Sequence, residues 1–417
     1  MSIFDKIFNN TAKTVVADDS VEILAAYNRI SLPNYSFSID DGRKISGMVI
    51  CCKILANDIG RLPIKVFKTN EDGSREVLRD DYRYLLLKAH PNKYTDSFTF
   101  WSTVEFIRSF EGNAYVKINT NLTTGKIDSL EILNNEDLIK AKIINGELYY
   151  LFKINGKEEI FNFKNILHFR NLSRNGIFGR DPKDDLNINL SISYKALTTV
   201  DNLYNNGAIT TKALKTQVPE SVNAKAWADK IEDFNNKYAG YLNSGKVIIL
   251  PPYSSLEDVT MNLNDAEFIN TMKYNNSIIA SYFGIPPHKL GLIENSKFNS
   301  LYELQMDYIR NTLGPIVMMY RRELEFKLLD DTEINNGYSI EFETGALDIT
   351  DAKTRIQNYK DLFGMGAITP NTIAKFENLP SFDGGDDHYL FNQMMSMEVY
   401  KKKNQILEKN IDASINA

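Results

Sequence analysis

The chain has 417 residues, 43% hydrophobic and 24% charged, an ordinary soluble globular composition with room for two or three compact regions. Its 48 basic and 54 acidic side chains give a formal charge of −6, which excludes a general basic nucleic-acid binder but not a surface past which DNA slides. Cys51 and Cys52 are adjacent in an apolar run, imply neither a disulfide framework nor a zinc site and suit a reducing cytoplasm, and no apolar stretch approaches the ~18 residues of a membrane span.

Residues 1–10 are too short, and too interrupted by Asp5 and Lys6, for a signal peptide. Ile3, Phe4, Ile7 and Phe8 could instead seat a short amphipathic helix on a neighbour. Residues 11–44 lack periodicity and are expected to be irregular, after which the chain reads as α+β. A buried helix over 46–59 closes at Gly60, and a strand covers 63–67. A short helix over 80–89 stops at His90-Pro91. Asp96 or Ser97 then caps an aromatic helix through Phe98, Trp101, Phe106 and Phe110. Strands begin at 112–118 and continue to Phe163, punctuated by Thr124-Gly125, Asn145-Gly146 and Asn155-Gly156. Asn-Gly between alternating runs is the strongest short hairpin signal. Residues 171–181 form a glycine- and arginine-containing loop, and Pro182 suits the first turn of a helix.

The next run is ambiguous. Leu186, Ile188, Leu190, Ile192 and Tyr194 alternate as in a strand, whereas Leu190, Leu197 and Tyr204 fit a helix ending at Asn206-Gly207. A small mixed unit covers 208–263, with a helix over 224–238 and a strand over 246–250. Asn264 and Glu267 make a capping box for a helix with Phe268, Met272, Ile279 and Phe283 on one face. It ends at Gly284, because Pro286 and Pro287 cannot supply the next donors. A polar loop over 288–299 carries Lys297 at its tip. Ser300 and Glu303 form a second capping box. Leu301, Leu304, Tyr308, Leu313, Val317, Tyr320, Leu324 and Leu328 then line a long helix that Gly314-Pro315 should kink without ending. A strand over 338–342, helices over 350–363 and 370–378, and a polar tail from Lys401 complete the chain.

Candidate chemistry is sparse. His90, His168, His288 and His388 show no metal-ligand spacing, and His90 and His168 read as structural. Residues 383–388, Asp-Gly-Gly-Asp-Asp-His, are the most metal-like cluster, yet lack the ligand spacing of an EF-hand, so a solvated turn is the simpler reading. Phosphate-loop, nucleophile-elbow, zinc-protease and dinucleotide motifs are absent. Asp184-Asp185 would complement a helix dipole, whereas Asp330-Asp331 reads as the unfavourable end of the long helix, screened by solvent. An enzyme is the weaker expectation. Lys297, flanked by Asn295, Ser296 and Asn299, is either a solvated loop lysine or the one basic group presented between two capped helices.

A set of short motifs runs in a fixed order along the chain. The first are Cys52-Lys53-Ile54-Leu55-Ala56 with Leu62-Pro63, His90-Pro91-Asn92, Gly112-Asn113-Ala114-Tyr115 and Ile166-Leu167-His168-Phe169-Arg170. The Gly-rich loop to Pro182 and Asn206-Gly207-Ala208 follow. The strongest is the 283–291 stretch, Phe-Gly-Ile-Pro-Pro-His-Lys-Leu-Gly, with Phe298-Asn299-Ser300. Ile368-Thr369-Pro370-Asn371, Glu377-Asn378-Leu379-Pro380 and Gly384-Gly385-Asp386-Asp387 close the set. Together, in this order, these motifs resemble the portal protein family of long-tailed bacteriophages; residues before 46 match no part of it, and 186–206 is more polar than the family usually shows.

The resemblance implies a ring-forming α+β portal fold, a dodecamer at the unique capsid vertex through which double-stranded DNA is packaged and ejected without sequence-specific contact. It assigns 46–182 to an α+β wing, 183–206 and 265–284 to two stem helices, and 207–264 to a small α/β clip. Residues 285–299 become a tunnel-loop region, 300–349 a kinked helix and wing strand, and 350–417 a helical crown and tail. A helix over 183–206 thereby overrides the strand reading. Channel-facing candidates are Lys289, Glu294, Asn295, Ser296, Lys297, Phe298 and Asn299. Gly284, Pro286, Pro287, Gly291 and Ser300 would frame the loop, and Gly314 and Pro315 the kink. Implied partners are the terminase large subunit, major capsid protein, scaffold and head–tail adaptor, with no cofactor, metal, catalytic residue or membrane. Assembly would occur in the host cytoplasm and the product reside in the virion. Twelve copies of a −6 chain would repel phosphates, while a ring of Lys297 would add brief, salt-sensitive contacts. Another head–tail connector ring component, or a metal-dependent DNA hydrolase using 383–388, are the alternatives.

Overall fold

The computed structural model describes residues 46–121, 123–205, 212–216, 229, 232–233, 250, 254–258, 265–291, 298–343, 352–377 and 379–388. The chain divides into two compact units, Met1–Leu347 and Asp348–Ala417.

The first unit begins with α1 (Ser46–Gly60), which buries Met48, Cys51, Cys52, Leu55 and Ile59. Burial pushes both thiols up to about 12, so they behave as inert apolar groups. Strands β1 (Ile64–Thr69) and β2 (Arg75–Val77) lead to α2 (Tyr82–Lys88), capped by Asp81, and α3 (Ser97–Glu111), capped by Asp96. A Cβ on Gly60 would lie 2.8 Å from Ser102 Cβ and 2.9 Å from the Phe98 carbonyl oxygen, so α1 and α3 approach as closely as glycine allows.

Strands β3 (Asn113–Thr120) and β4 (Ile127–Leu133) follow, then the meander β5 (Leu138–Ile144), β6 (Glu147–Ile154) and β7 (Lys157–Asn162), and β8 (Ile166–Arg170). The Asn-Gly expectation holds geometrically: Asn145 and Gly146 take φ 52° and 81°, and Asn155 and Gly156 take 50° and 78°. Two positive-φ residues are what a tight primed hairpin turn requires. Sheet order is β4-β3-β8 and, separately, β5-β6-β7. Tyr115, Leu133, Tyr150, Phe152 and Phe161 fill the space between them.

Asp181 caps α4 (Pro182–Asp185), with Pro182 in the first turn as expected, and α5 (Asn187–Asn205) continues. The alternating run 186–194 is therefore helical. Leu186, Leu190 and Ser193 are buried at helical spacing, while Ile188 and Ile192 stand 71% and 40% exposed. Half of the apolar alternation faces solvent, so it never described one buried strand face. Strands β9 (Lys212–Thr216) and β10 (Ser254–Asp258) pair antiparallel, a pairing not anticipated above. The helix expected over 224–238 and the strand over 246–250 lie outside the described residues, apart from Asp229, Glu232 and Asp233, which are helical, and Leu250.

After α6 (Asp265–Tyr282), a 3-10 turn (Pro287–Leu290) and α7 (Phe298–Tyr308), the chain makes a π turn (Ile309–Leu313) and continues as α8 (Gly314–Leu328). Asp330-Asp331 is not the tail of that helix. Asp330 caps α9 (Asp331–Asn335) through a full capping box with Glu333, so these carboxylates meet a helix N-terminus and the unfavourable-dipole reading is overturned. Glu333 also joins Asp81 in gripping the buried Arg83, at 2.7 Å from each. Strand β11 (Tyr338–Phe342) pairs antiparallel with β1, Ile64 opposite Phe342.

One core joins these elements. Trp101 meets Phe100, Phe169 and Tyr320 edge-on, and Tyr320 stacks on Phe169 with centroids 4.2 Å apart. Beside them the fully buried Glu105 receives two bonds from Arg108, at 2.6 and 2.7 Å, and one from the Tyr320 hydroxyl at 3.1 Å. Such a group persists inside only because its lone pairs are matched.

In the second unit, α10 (Ala352–Gly364) ends at left-handed Gly366, and Thr369 caps α11 (Pro370–Phe376). The Asn371 side chain accepts the Phe382 N–H and donates to the Phe382 carbonyl, both at 3.0 Å, closing the 382–385 turn.

Candidate functional site

The motif that organised the sequence reading, helix, Gly-Ile-Pro-Pro turn, polar loop, second helix, is built on α5 and α6. A polar clasp joins these helices. Asn275, 3% exposed, donates to the Asn189 carbonyl at 2.8 Å and to Ser193 Oγ at 2.7 Å, while Asn189 Nδ2 donates back to Asn275 Oδ1 at 2.8 Å. The asparagine-rich character of α5 thus serves register: sliding either helix would strand buried amides.

The end of α6 follows from its residues. Gly284, at φ 67°, lets the Ile285 N–H reach the Ala280 carbonyl at 2.9 Å and its own N–H reach the Ser281 carbonyl at 3.1 Å, a Schellman closure. Thr312 Oγ1 donates to the Gly284 carbonyl at 2.6 Å, and a Cβ on Gly284 would lie 2.8 Å from that oxygen. Thr312 belongs to the π turn, which carries the Gly314 N–H back to the Ile309 carbonyl. The wide turn absorbs Pro315, which has no N–H to give, so the helix passes the Gly314-Pro315 step.

Asp58 of α1 is the hub below the loop. Its carboxylate accepts from Lys289 Nζ at 2.9 Å, from the Tyr308 hydroxyl at 2.8 Å and from Arg61 at 2.8 Å. The Lys289 ammonium also lies 3.9 Å from the Tyr308 ring centroid. Burial, then the Asp58 charge, pushes the Tyr308 hydroxyl far above the usual phenol range, so it remains a donor. Neighbouring His288 has Nδ1 buried without a hydrogen-bond partner among the described residues, and desolvation lowers its pKa.

Among the candidate site residues, Lys289 binds Asp58, Gly284 packs against Thr312, Pro286 and Pro287 open the 3-10 turn, and Gly291 ends it at φ 71°. Glu294, Asn295, Ser296 and Lys297 lie outside the described residues. Phe298 and Asn299 open α7, so Ser300 falls inside its first turn with helical backbone and does not act as the expected N-cap. Asp58 and Thr312 were not singled out by the sequence, and Tyr308 only as one position on the apolar face of the long helix. An isolated carboxylate late in an otherwise apolar helix was the available signal for Asp58.

The other polar candidates are structural. His168 is fully buried between Tyr150 and Asn113, each 2.9 Å from a ring nitrogen, and desolvation holds it neutral. His388 Nδ1 lies 2.7 Å from the Gly366 carbonyl. Among the described residues no three His, Cys, Asp or Glu side chains converge to hold a metal ion.

Known proteins resemble this chain over most of its length. The phage portal protein family model matches residues 48–378. The portal protein of Enterobacteria phage HK97 is 23% identical over 354 residues, covering 84% of this chain and 82% of its own. The probable portal protein of Streptomyces phage phiC31 is 20% identical over 269 residues, 61% of this chain and 57% of its own. Among solved structures, a chain in the neck of an empty gene transfer agent particle superposes with TM-score 0.56 at 16% identity, covering 87% of this chain and 99% of its own. An HK97-family phage portal protein from Corynebacterium diphtheriae gives TM-score 0.54 at 11% identity over 76% of this chain and 100% of its own. With its α+β core, paired helices and π-turned long helix, the chain belongs to the phage portal protein family.

Proposed function

We propose that this chain is the structural, non-catalytic subunit of a dodecameric ring at a capsid vertex, and that double-stranded DNA passes along its axis during packaging and ejection. The observation that carries the reading is the family match over 48–378, spanning both α5–α6 and the loop they support. Neighbouring folds belong to particle necks solved with C6 and C12 symmetry, which supports a closed ring in a virion. Head-to-tail contacts between unlike faces would close it. In this reading 46–182 is the wing, 183–206 and 265–284 the stem, 207–264 the clip, 300–349 the kinked helix and wing strand, and 350–417 the crown and tail. The clip receives the packaging motor and later the head–tail adaptor, the motor hydrolyses ATP, and assembly with capsid protein and scaffold occurs in the host cytoplasm.

Residues 285–299 form the tunnel loop. The Asp58 hub pairs with Lys289, which leaves Lys297 as the other lysine of the 285–299 stretch. Lys297→Ala should leave assembly intact and change DNA retention or packaging yield. Loss of assembly would make Lys297 an interface residue and overturn its channel role.

A further inference from the structure

The face of α8 beside β8 and β11 carries an open groove of about 670 Å³, lined by Arg170, Met319, Arg321, Arg322, Phe326, Ile334 and Tyr338, with Glu323 and Glu325 along its base. Its charges are sorted by depth. The carboxylate side chains are 9% and 11% exposed, whereas those of Arg170, Arg321 and Arg322 are 32%, 30% and 71% exposed. The acids serve both sides: Glu323 lies 3.6 Å from Arg170, Glu325 lies 3.4 Å from Arg322, and Arg321 reaches Glu341 at 3.1 Å as well as Glu325. Glu323 accepts the His168 N–H at 2.7 Å and pairs with Lys327 at 2.5 Å, and Glu325 accepts the Ile340 N–H at 3.3 Å and Arg321 Nε at 3.0 Å. The paired guanidinium groups are the outer members, Arg322 most of all, above an apolar floor on which Phe326 is 65% exposed and Ile334 45% exposed. A guanidinium has five N–H donors, so these arginines can take further carboxylates, and an occupant that interleaves carboxylates with apolar side chains fits both features.

The chain contains such a segment. Residues 15–27 carry Asp18, Asp19 and Glu22 among Val16, Val21, Ile23, Leu24 and Tyr27, with no lysine or arginine. Eighteen residues, 28–45, lie between Tyr27 and α1, enough at ~3.3 Å per residue to span roughly 60 Å. A tether of that length holds the segment at about millimolar effective concentration, an advantage over any free partner.

We propose that this groove is an intramolecular docking site for the chain's own acidic segment 15–27. Its carboxylates meet Arg170, Arg321 and Arg322, and its apolar residues cover Phe326, Met319 and Ile334. Docking would tie the start of the chain to the far end of the long helix, and it does not depend on ring formation.

The test is photo-cross-linking in the full chain with benzoylphenylalanine at position 326, where the native side chain is exposed, using a mixture of light and heavy-isotope chains. The expected adducts map to 15–27 and carry one isotope label. Arg322→Glu should reduce their yield about fivefold, a plausible size for losing and reversing an exposed ion pair. Glu22→Lys in the same chain should restore much of it. Adducts to other segments, mixed-label adducts that put a second copy in the groove, adducts to co-purified DNA, or a yield insensitive to Arg322→Glu would each overturn the proposal. Native mass, measured on the same samples, reports ring assembly separately.

Discussion

Asp58→Asn is the sharpest perturbation of the site, because it removes one charge and almost no volume. In the native chain one carboxylate serves Lys289, Tyr308 and Arg61. Losing the charge converts the Tyr308 bond from charged to neutral, a loss drawn from the ~1.5–3 kcal/mol such bonds contribute. Lys289 is left beside a neutral amide. Its side chain is 16% exposed, so it can turn toward water, and the loss falls short of the ~3–5 kcal/mol of a sealed pair. Arg61 is 45% exposed and adds well under ~1 kcal/mol. The sum is about 3 kcal/mol, which corresponds to a fall in Tm of about 4 °C for the Met1–Leu347 unit. Urea unfolding of Asp58→Asn, Lys289→Met and the double variant measures both the loss and the coupling. A loss under ~1 kcal/mol, or a cycle additive within ~0.3 kcal/mol, would refute the hub as the anchor of the loop base.

Three further outcomes follow from the same geometry. Asn275→Leu should destabilise by about 2–3 kcal/mol in chemical denaturation, since Asn189 and Ser193 lose buried partners, and adding Asn189→Leu should recover part of that loss. Gly284→Ala should cost at least about 1 kcal/mol in a thermal melt, because its φ is 67° and the new Cβ meets Thr312; Thr312→Ser in the same chain should relieve only the contact with the Thr312 methyl. His168 has a folded pKa held well below the imidazole range, so the unfolded chain takes up a proton that the fold refuses. Its stabilisation is complete above about pH 6.5 and is lost as pH falls below that value. The stability difference between wild type and His168→Gln should therefore shrink by about 1 kcal/mol from pH 6.5 to 5.5 in urea titrations, and a constant difference would contradict a neutral buried His168.

Local chemistry made much of the fold legible. Asp96, Pro182, Asn145-Gly146 and Asn155-Gly156 act within a few residues of themselves, and the structure places each where its backbone preference points. The π turn also left a trace. Buried positions on the long helix recur at steps of three or four, except from Tyr308 to Leu313, where the step is five. One extra residue in that face is what a π turn inserts. Long-range facts left no such trace. Lys289 and Tyr308 stand 231 and 250 residues from Asp58, and nothing local announces that one carboxylate serves both. Asp330 misled because charge next to a helix end was read without asking whether another helix starts there. The 186–194 alternation misled because periodicity cannot say which apolar residues are covered, and Ile188 and Ile192 are not.

The most direct test of the ring is the native mass of the purified chain by mass photometry at low and high salt. The account predicts a closed species at about twelve times the 47.6 kDa of one chain at both salts. A species that remains monomeric at both, even after scaffold and capsid protein are added, would contradict it.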